Sequence, residues 1–299
     1  MPQQPLISLI ILNYNQLQVT CEFIESTKKL TYPNYEIIMV DNASKENPTA
    51  HITATYPHVK LIVNDTNLGF TGGNNVGLRA AKGDFYFIVN NDTEVTDNLL
   101  EKLLEPFSKD PSIGVVSPKI RFFHNPTIIQ YAGFTEINPI TGRNAVIGGL
   151  EEDRGQHDTP GYTAYAHGAA MLVKKEVVEK VGGLPDLFFI YYEELDWSAH
   201  IRRAGYKIYY QPEGLIYHKE SITMGRESAI KAYYHNRNRI LFMRRNSSSF
   251  NFFLFSLFYA FFIAPKSILK YLFKGQMTHL KNFFRGLAWN FTKAKYSNI

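Results

Sequence analysis

The chain has 299 residues, 45% of them apolar, enough to bury a large core and to build one sizeable α/β domain with an appendage. Its single cysteine, Cys21, excludes an internal disulfide and a cysteine-rich zinc site and suits a reducing compartment; any metal must be held by oxygen and nitrogen. The formal charge of +5 is unevenly placed: twelve Lys and Arg but no Asp or Glu follow Glu227, so the last 72 residues carry +12 and the first 227, by difference, −7.

The run LISLIIL, from Leu6, has no basic residues before it and is too short for a signal-peptide core with a cleavage site behind it, so it reads as a strand of a chain that is not exported. SLIIL (Ser8), EIIMV (Glu36), VKLIV (Val59) and FYFIV (Phe85) are likewise apolar runs without alternation, each followed by a stretch long enough for a helix. That pattern predicts a parallel sheet covered on both faces. Ligands of such sheets collect at the carboxyl ends of the strands. There the chain places Asn13, Tyr14 and Asn15, then Asp41 and Asn42, then Asn64, then Asn90, Asn91 and Asp92. Turn formation or helix capping explains one polar strand end. Four in register predict a single polar site.

Between the third and fourth runs lies NLGFTGGNNVGLRAAKG, from Asn67. It fits neither the dinucleotide fingerprint nor the Walker loop, which excludes a dehydrogenase and a kinase or ATPase of those classes. Its glycines admit two readings: a flexible loop entering a helix, or close backbone approach to a ligand with a helix N-terminus near negative charge. HGAAMLVKKEVVEKVGG, from His167, predicts a strand and then a helix, and FFIYYEELDWSAHIRRAGY, from Phe188, an apolar segment feeding an acidic helix start. Glu193, Glu194 and Asp196 suit a helix N-terminus. They also repel one another, which raises the pKa of at least one and suits a general base. GLIYH is a further strand, and His218 at its polar end is a candidate metal ligand if it reaches the edge that holds Asp92.

The basic C-terminal region holds FNFFLFSLFYAFFIAP, from Phe250 to Pro265. A continuous greasy block beside many cations favours an anionic membrane surface over nucleic acid, which wants spaced aromatics. Its sixteen residues rise about 24 Å as a helix against a hydrocarbon layer of about 30 Å. Pro265, Lys266 and Lys270 interrupt an extension, so the run is expected to lie in the interface or dip into it, with Trp289 and several Tyr as interfacial anchors. The alternative is a hydrophobic helix packed on the catalytic domain.

Taken in order, ILNYN, VDNAS, NLGFTGGNN, VNND and YYEELDW with RRAGY behind it resemble glycosyltransferase family 2, the inverting nucleotide-sugar enzymes of the GT-A fold. The chain is most similar to the non-processive, rhamnosyltransferase-like branch that extends bacterial surface polysaccharides, and YYHNRNRILFMRRN fits that branch too. The Q-x-x-R-W signature of processive synthases is absent, which implies one sugar per encounter. The resemblance implies an α/β GT-A fold, with a mostly parallel central sheet and helices on both faces, over residues 1–227. A basic, aromatic, membrane-associating helical region follows over residues 228–299.

Roles follow by resemblance. VNND stands where such enzymes have D-x-D, so Asp92 would bind a divalent metal, Mn or Mg, on the donor diphosphate, with Asn90 in place of the first Asp and His218 as a further ligand. Asp41 would contact the nucleotide base, with Asn13 and Tyr14 in the same pocket. Asn67, Gly73 and Asn75 would lie beside ribose and sugar, and Asn91 joins the nucleotide-sugar contacts. Glu194 matches the second acid of E-D-x-D, the general base. Asp196 matches the last acid, which orients acceptor or helix, and Glu193 completes the catalytic group. His200 stands where Arg is common.

The implied reaction moves one sugar, with inversion, from dTDP-rhamnose or a UDP-sugar to a hydroxyl of a glycan or lipid-linked acceptor. Its implied place is the cytoplasmic face of the cell membrane, where the enzyme is held peripherally. Two alternatives remain. A sugar-1-phosphate nucleotidyltransferase would need a Gly-rich loop with Arg and Lys where this chain has NYNQLQ; the other is an inactive membrane-bound scaffold of the same fold.

Overall fold

The computed structural model describes residues 4–220 and 228–292; the domain boundary expected at 227, and Lys293 and Lys295, lie outside them. The first four apolar runs are strands, β1 (Ile7–Asn13), β2 (Tyr35–Asp41), β3 (Val59–Val63) and β4 (Phe85–Val89). Between them lie the helices α1 (Leu17–Thr27), α2 (Thr49–Thr55) and α3 (Gly69–Ala80). The chain continues through β5 (Thr93–Val95), α4 (Leu99–Lys109), β6 (Ile113–Phe122), β7 (Ile129–Tyr131), β8 (Gly161–Tyr162) and β9 (Ala170–Lys174). After α5 (Lys175–Val181) come a 3₁₀ turn (Asp186–Phe188), α6 (Glu193–Arg203) and β10 (Lys207–His218).

The strands form one sheet in the order β3-β2-β1-β4-β9-β6-β10-β5, with β7 on β6 and β8 on β10. Strands β1 to β4 pair in parallel, as does β6 with β10. Strand β9 runs antiparallel between β4 and β6, so the sheet is mixed at its centre. Along β1, Ile7, Leu9 and Ile11 join one core with Phe23, Leu99 and Leu103, while Ile10 joins the other with Leu78, Trp197 and Ile201. Successive side chains point to opposite faces, and both faces are covered, so the run is apolar throughout.

Helix α3 sits close on β1. A Cβ at Gly73 would come within 2.3 Å of Leu12 Cδ1, and one at Gly77 within 2.4 Å of Ile10 Cγ2. These glycines serve helix-on-strand packing.

The C-terminal region is entirely helical among the described residues. Helix α7 (Ala229–Asn246) is buried from Asn236 through Met243, so it is enclosed on all sides instead of lying on the surface. Helix α8 (Ser249–Phe258), a π turn (Tyr259–Ile263) and α9 (Ala264–Phe273) then run as one 25-residue helix. Pro265 does not end this helix as expected from the sequence. It sits in the first turn of α9, directly after the wider π turn, where its missing N–H and its ring are accommodated.

Helix α10 (Met277–Thr292) packs back on α7. Asn236 Nδ2 donates to Phe283 O at 2.7 Å and Asn290 Nδ2 to Arg237 O at 3.1 Å. Trp289, expected as an interfacial anchor, lies instead against the Arg237 guanidinium at 4.6 Å. A Cβ at Gly286 would meet Tyr233 O at 2.7 Å, a backbone atom that cannot swing aside. Gly286→Ala is therefore expected to push α10 off α7 and to destabilise the fold by about 1–3 kcal/mol. A urea denaturation midpoint equal to that of the parent would show that this contact is not a tight one.

Candidate active site

Parallel register places Asn13 opposite Asp41, and Asp41 opposite Val63, at the carboxyl edge of the sheet. Both polar residues are buried. Asp41 Oδ1 accepts from Asn13 Nδ2 and from Ser44 Oγ, each at 2.6 Å, and its Oδ2 accepts from Ser44 N at 3.0 Å. Asn13 Oδ1 in turn accepts from Thr20 Oγ1 at 2.8 Å, and Thr20 Oγ1 accepts from Asn91 Nδ2 at 2.8 Å. One chain of hydrogen bonds thus joins the ends of β1, β2 and β4, with Tyr14 half-buried next to Asn13.

On the other side of β4, antiparallel pairing of β5 with β10 sets His218 opposite Thr93, one residue past Asp92. Lys219 N donates to Asp92 O at 2.8 Å, which locks the two segments together. His218 Nε2 then lies 3.1 Å from Asp92 Oδ1 and 3.5 Å from Asn90 Nδ2. Its Nδ1 faces Gln130 Oε1 at 2.8 Å; in the tautomer that donates to this acceptor, Nε2 offers its lone pair toward Asp92. Two electron-rich atoms converging in this way are suited to a shared proton or a cation. Asp92, His218 and the adjacent Asn90 therefore fit a hard or borderline divalent ion as a partial ligand set. No cluster of three or more His, Cys, Asp or Glu occurs among the described residues, so further ligands would come from solvent or substrate.

The acidic motif opens α6. Phe189, Tyr191 and Tyr192 all have positive φ, at 64°, 70° and 73°, and Glu193 and Glu194 follow at once. Bulky side chains in that region signal strain at a functional site. Glu193 Oε2 and Glu194 Oε2 are buried without hydrogen-bond partners. Burial, and then the charge of Glu194, push the Glu193 carboxyl well above its usual range. Burial pushes Glu194 up to about 7, opposed by backbone N–H groups of the helix start. Paired carboxyls whose titrations are pushed upward unequally are candidates for a proton donor and acceptor, and Glu194 is the one that ionises near neutrality.

The two halves meet through the turn before β9. A Cβ at Gly168 would lie 3.7 Å from Glu194 Cβ, and Asn90 N donates to Ala169 O at 2.9 Å. His167, in the same turn, is half-buried and stacks on Phe134, its ring pushed down to about 3 chiefly by desolvation and then by His218. Its Nδ1 accepts from Ala169 N at 3.0 Å, so it holds the turn as a neutral ring.

The model of glycosyl transferase family 2 matches residues 8–182, more than half of the chain. The chain belongs to glycosyltransferase family 2. It is 22% identical, over 74% of its own length and 78% of the relative's, to an N-acetylglucosaminyl-diphospho-decaprenol L-rhamnosyltransferase of Mycobacterium tuberculosis. It is 26% identical over 83% of its length to the uncharacterized protein y4gI of Sinorhizobium fredii, of which it spans only 28%. Its fold is shared by the mannosyltransferase PcManGT from Pyrobaculum calidifontis, solved with GDP-Man and Mn2+; the TM-score is 0.60 at 18% identity, over 98% of this chain and 76% of that one. The nucleotidyltransferase alternative falls with the family match.

Several motif residues of this glycosyltransferase make packing contacts that the sequence did not suggest. Gly73 faces Leu12 of β1. Asn75 is buried, its Nδ2 on Leu184 O and Asp186 Oδ1 and its Oδ1 on Leu184 N, so it ties α3 to the loop before α6. Both are engaged in contacts within the protein. Asn67 Oδ1 accepts from Asn42 Nδ2 at 2.9 Å and from Gly69 N at 2.8 Å. The N–H groups of Phe70 and Thr71 go to Phe189 O, so the first turn of α3 is capped by protein and does not await a phosphate. Asp196 is buried under Arg245, with Nε at 3.0 Å from Oδ1 and Nη2 at 3.1 Å from Oδ2, and accepts from Asn246 Nδ2 at 2.6 Å. It anchors α6 to α7.

Gln130, His167, Gly168 and Arg245 were not singled out by sequence reasoning. Of these only His167 and Gly168 carried a local signal, the His-Gly that opens an apolar run. The raised Glu194 fixes a sign for pH. Its folded-state value lies above the ordinary 4.5, so the fold binds more protons than the unfolded chain and loses stability as pH rises from about 4.5 to about 7. Glu194→Gln removes that loss. The variant should match the parent near pH 4 and exceed it at pH 8 by about 1–3 kcal/mol in urea unfolding. A difference independent of pH would mean that Glu194 is not held in a charge-disfavouring site.

Proposed function

We propose that this enzyme transfers one sugar, with inversion, from a nucleotide-sugar to a hydroxyl of a glycan or lipid-linked acceptor. The observation that carries this reading is the meeting of two carboxyl sites on one sheet edge: Asp92 with His218 on one side of the His167–Ala169 turn, Glu194 on the other. Glu194 takes the proton of the acceptor hydroxyl as its oxygen bonds to the anomeric carbon. The bond from that carbon to the diphosphate oxygen breaks on the opposite face, and the anomeric configuration inverts. No covalent intermediate on the protein is required. Burial and the neighbouring charge push the Glu193 carboxyl upward, which favours a single negative charge on the pair, carried by Glu194.

Asp92 and His218, with Asn90 alongside, would hold a divalent cation, manganese or magnesium, whose charge favours diphosphate departure. Asp41 and Asn13, buried and mutually bonded, form the floor against which Tyr14 and the nucleotide base would lie. The likeness to a rhamnosyltransferase supports dTDP-rhamnose as the first donor to try, with UDP-sugars next, and a lipid diphosphate-linked sugar as acceptor.

The long helix supports work at a membrane. Phe250, Phe253, Leu257, Phe261, Phe262 and Phe273 are all exposed. As a continuous 25-residue helix, Ser249–Phe273 rises about 37 Å, longer than the 24 Å expected from the sequence and long enough to cross about 30 Å of hydrocarbon. Lys266 and Lys270 on its second half, with Lys274 directly after it, suit anionic headgroups at a cytoplasmic membrane face.

Glu194→Gln should bind dTDP-rhamnose or a UDP-sugar with Mn2+ as the parent does and lose transfer by about 10²–10⁴-fold; undiminished initial rates would remove Glu194 from the base role. Replacing Phe250, Phe253, Phe261 and Phe262 together by Ser should abolish co-sedimentation with phosphatidylglycerol vesicles. Continued sedimentation of the folded variant would rule out this helix as the anchor.

A further inference from the structure

The loop that delivers Glu193 and Glu194 is held in a conformation its own sequence disfavours. Phe189, at φ 64° and ψ −55°, forms the rarer kind of γ-turn, closed by Ile190 N donating to Phe188 O at 2.7 Å. Tyr191 and Tyr192 follow in the left-handed region. Glycine and asparagine are the residues that take such φ values readily, and three aromatics persist there only if their surroundings over-determine them.

Those surroundings are two adjacent side chains of α7. Arg237 Nη2 donates to Leu187 O and Phe188 O, each at 2.6 Å. Asn238 Nδ2 reaches Phe188 O at 3.0 Å, Ile190 O at 2.8 Å and Tyr191 O at 2.7 Å. Asn238 Oδ1 accepts from Arg237 Nε at 2.7 Å, which makes the pair one unit, and both residues are buried. The carbonyl that closes the γ-turn is thus the one that both side chains hold.

Ring contacts fix the same loop from the same helix: Phe189 stacks on Tyr234 at 5.2 Å and Tyr191 on His235 at 4.3 Å. Behind Arg237 stand Trp289 at 4.6 Å and Tyr234 at 4.8 Å, so its buried charge is met by carbonyls and ring faces. On its far side the loop grips α3, because Phe189 O caps the first turn of that helix.

We infer that Arg237 and Asn238 are positioning residues for transfer: from behind the loop they hold the strained turn that sets Glu194 at the sheet edge and ties it to α3. This rests on the reading of Glu194 as the base. A buried Arg–Asn pair that served stability alone would not need to converge on the carbonyls of the one loop that opens into the catalytic carboxylates. Loosening that loop also lets water reach the Glu193–Glu194 pair, which lowers the titration of Glu194. The titratable groups around it are Glu193, Tyr191 and Tyr192 of the loop, and His235 of α7.

The test uses full-length protein in phosphatidylglycerol nanodiscs, with dTDP and UDP plus Mn2+ as binding probes and dTDP-rhamnose and UDP-sugars as donors. Asn238→Ala should lower kcat about 10²-fold, the scale of a small misplacement of a reacting group. Probe affinity should stay within twofold, while the acid limb of the pH–rate profile moves to lower pH together with the Glu194 carboxyl titration seen by infrared difference. If Asn238→Ala does not fold, Arg237→Lys carries the test, with kcat expected to fall about tenfold and the same direction of pH shift. A kcat within threefold of the parent, or a loss matched by the unfolded fraction with an unmoved pH limb, overturns the inference. Glu194→Gln separates the two readings. If it keeps transfer, the base assignment fails and the positioning role with it; if it is inactive while Asn238→Ala is unaffected, only the positioning role fails.

Discussion

Everything in the site depends on parallel register along β1, β2 and β4. Asn13 stands opposite Asp41, and Ile10 opposite Ile88, so the strand ends fall at one level and their polar residues share an edge. A slip of one residue would exchange the side chains that fill the two cores on either face of the sheet, so the buried apolar side chains that lock the register also place the polar ends. The edge is not loose. Asn13, Asp41, Ser44, Thr20 and Asn91 satisfy one another in a continuous chain, which makes the edge a pre-built polar surface.

The second half of the site is assembled over much longer sequence distances. His218 reaches Asp92 because β5 pairs antiparallel with the end of β10, and Gln130 from β7 orients the ring. Glu194 reaches the same edge because α6 begins where a strained loop ends. Three aromatics at positive φ cost about 1–3 kcal/mol each, and a buried carboxyl oxygen without a partner about as much again. Such costs are tolerable only with compensation from elsewhere in the fold, since a whole domain is stable by about 5–15 kcal/mol. Here the compensation comes from α7, through Arg237 and Asn238 on the loop and Arg245 on Asp196. Helix α10 encloses α7 from the other side, so the long exposed helix joins two elements that support the loop before α6.

Much of this was legible beforehand. The four apolar runs, their polar ends, the strand before α5, the acidic helix and the His at the end of β10 were all found where periodicity and strand-end chemistry put them. The glycine-rich motif was legible as a helix start, but not in its purpose: Gly73 and Gly77 admit a strand, Gly69 admits Phe189, and Asn75 reaches the loop before α6. A glycine in a sequence announces close approach without saying to what. Pro265 misled because its cost depends on the turn before it, and Trp289 because an aromatic near cations fits a membrane interface and a guanidinium face equally well.

What the sequence by itself determined is what nearest-neighbour chemistry decides: strand and helix periods, the polar character of strand ends, the crowding of Glu193, Glu194 and Asp196, and the separation of an acidic body from a basic, aromatic tail. Tertiary structure alone decided which of those groups meet. Asp92 and His218 are 126 residues apart, and Asn238 and Tyr191 are 47 apart. It also separated Asp196, neutralised by Arg245, from Glu194, left buried with an unpartnered oxygen. The physical reason is that burial and charge pairing set a carboxylate's chemistry, and both are properties of the packed neighbourhood, which a local run of residues does not contain.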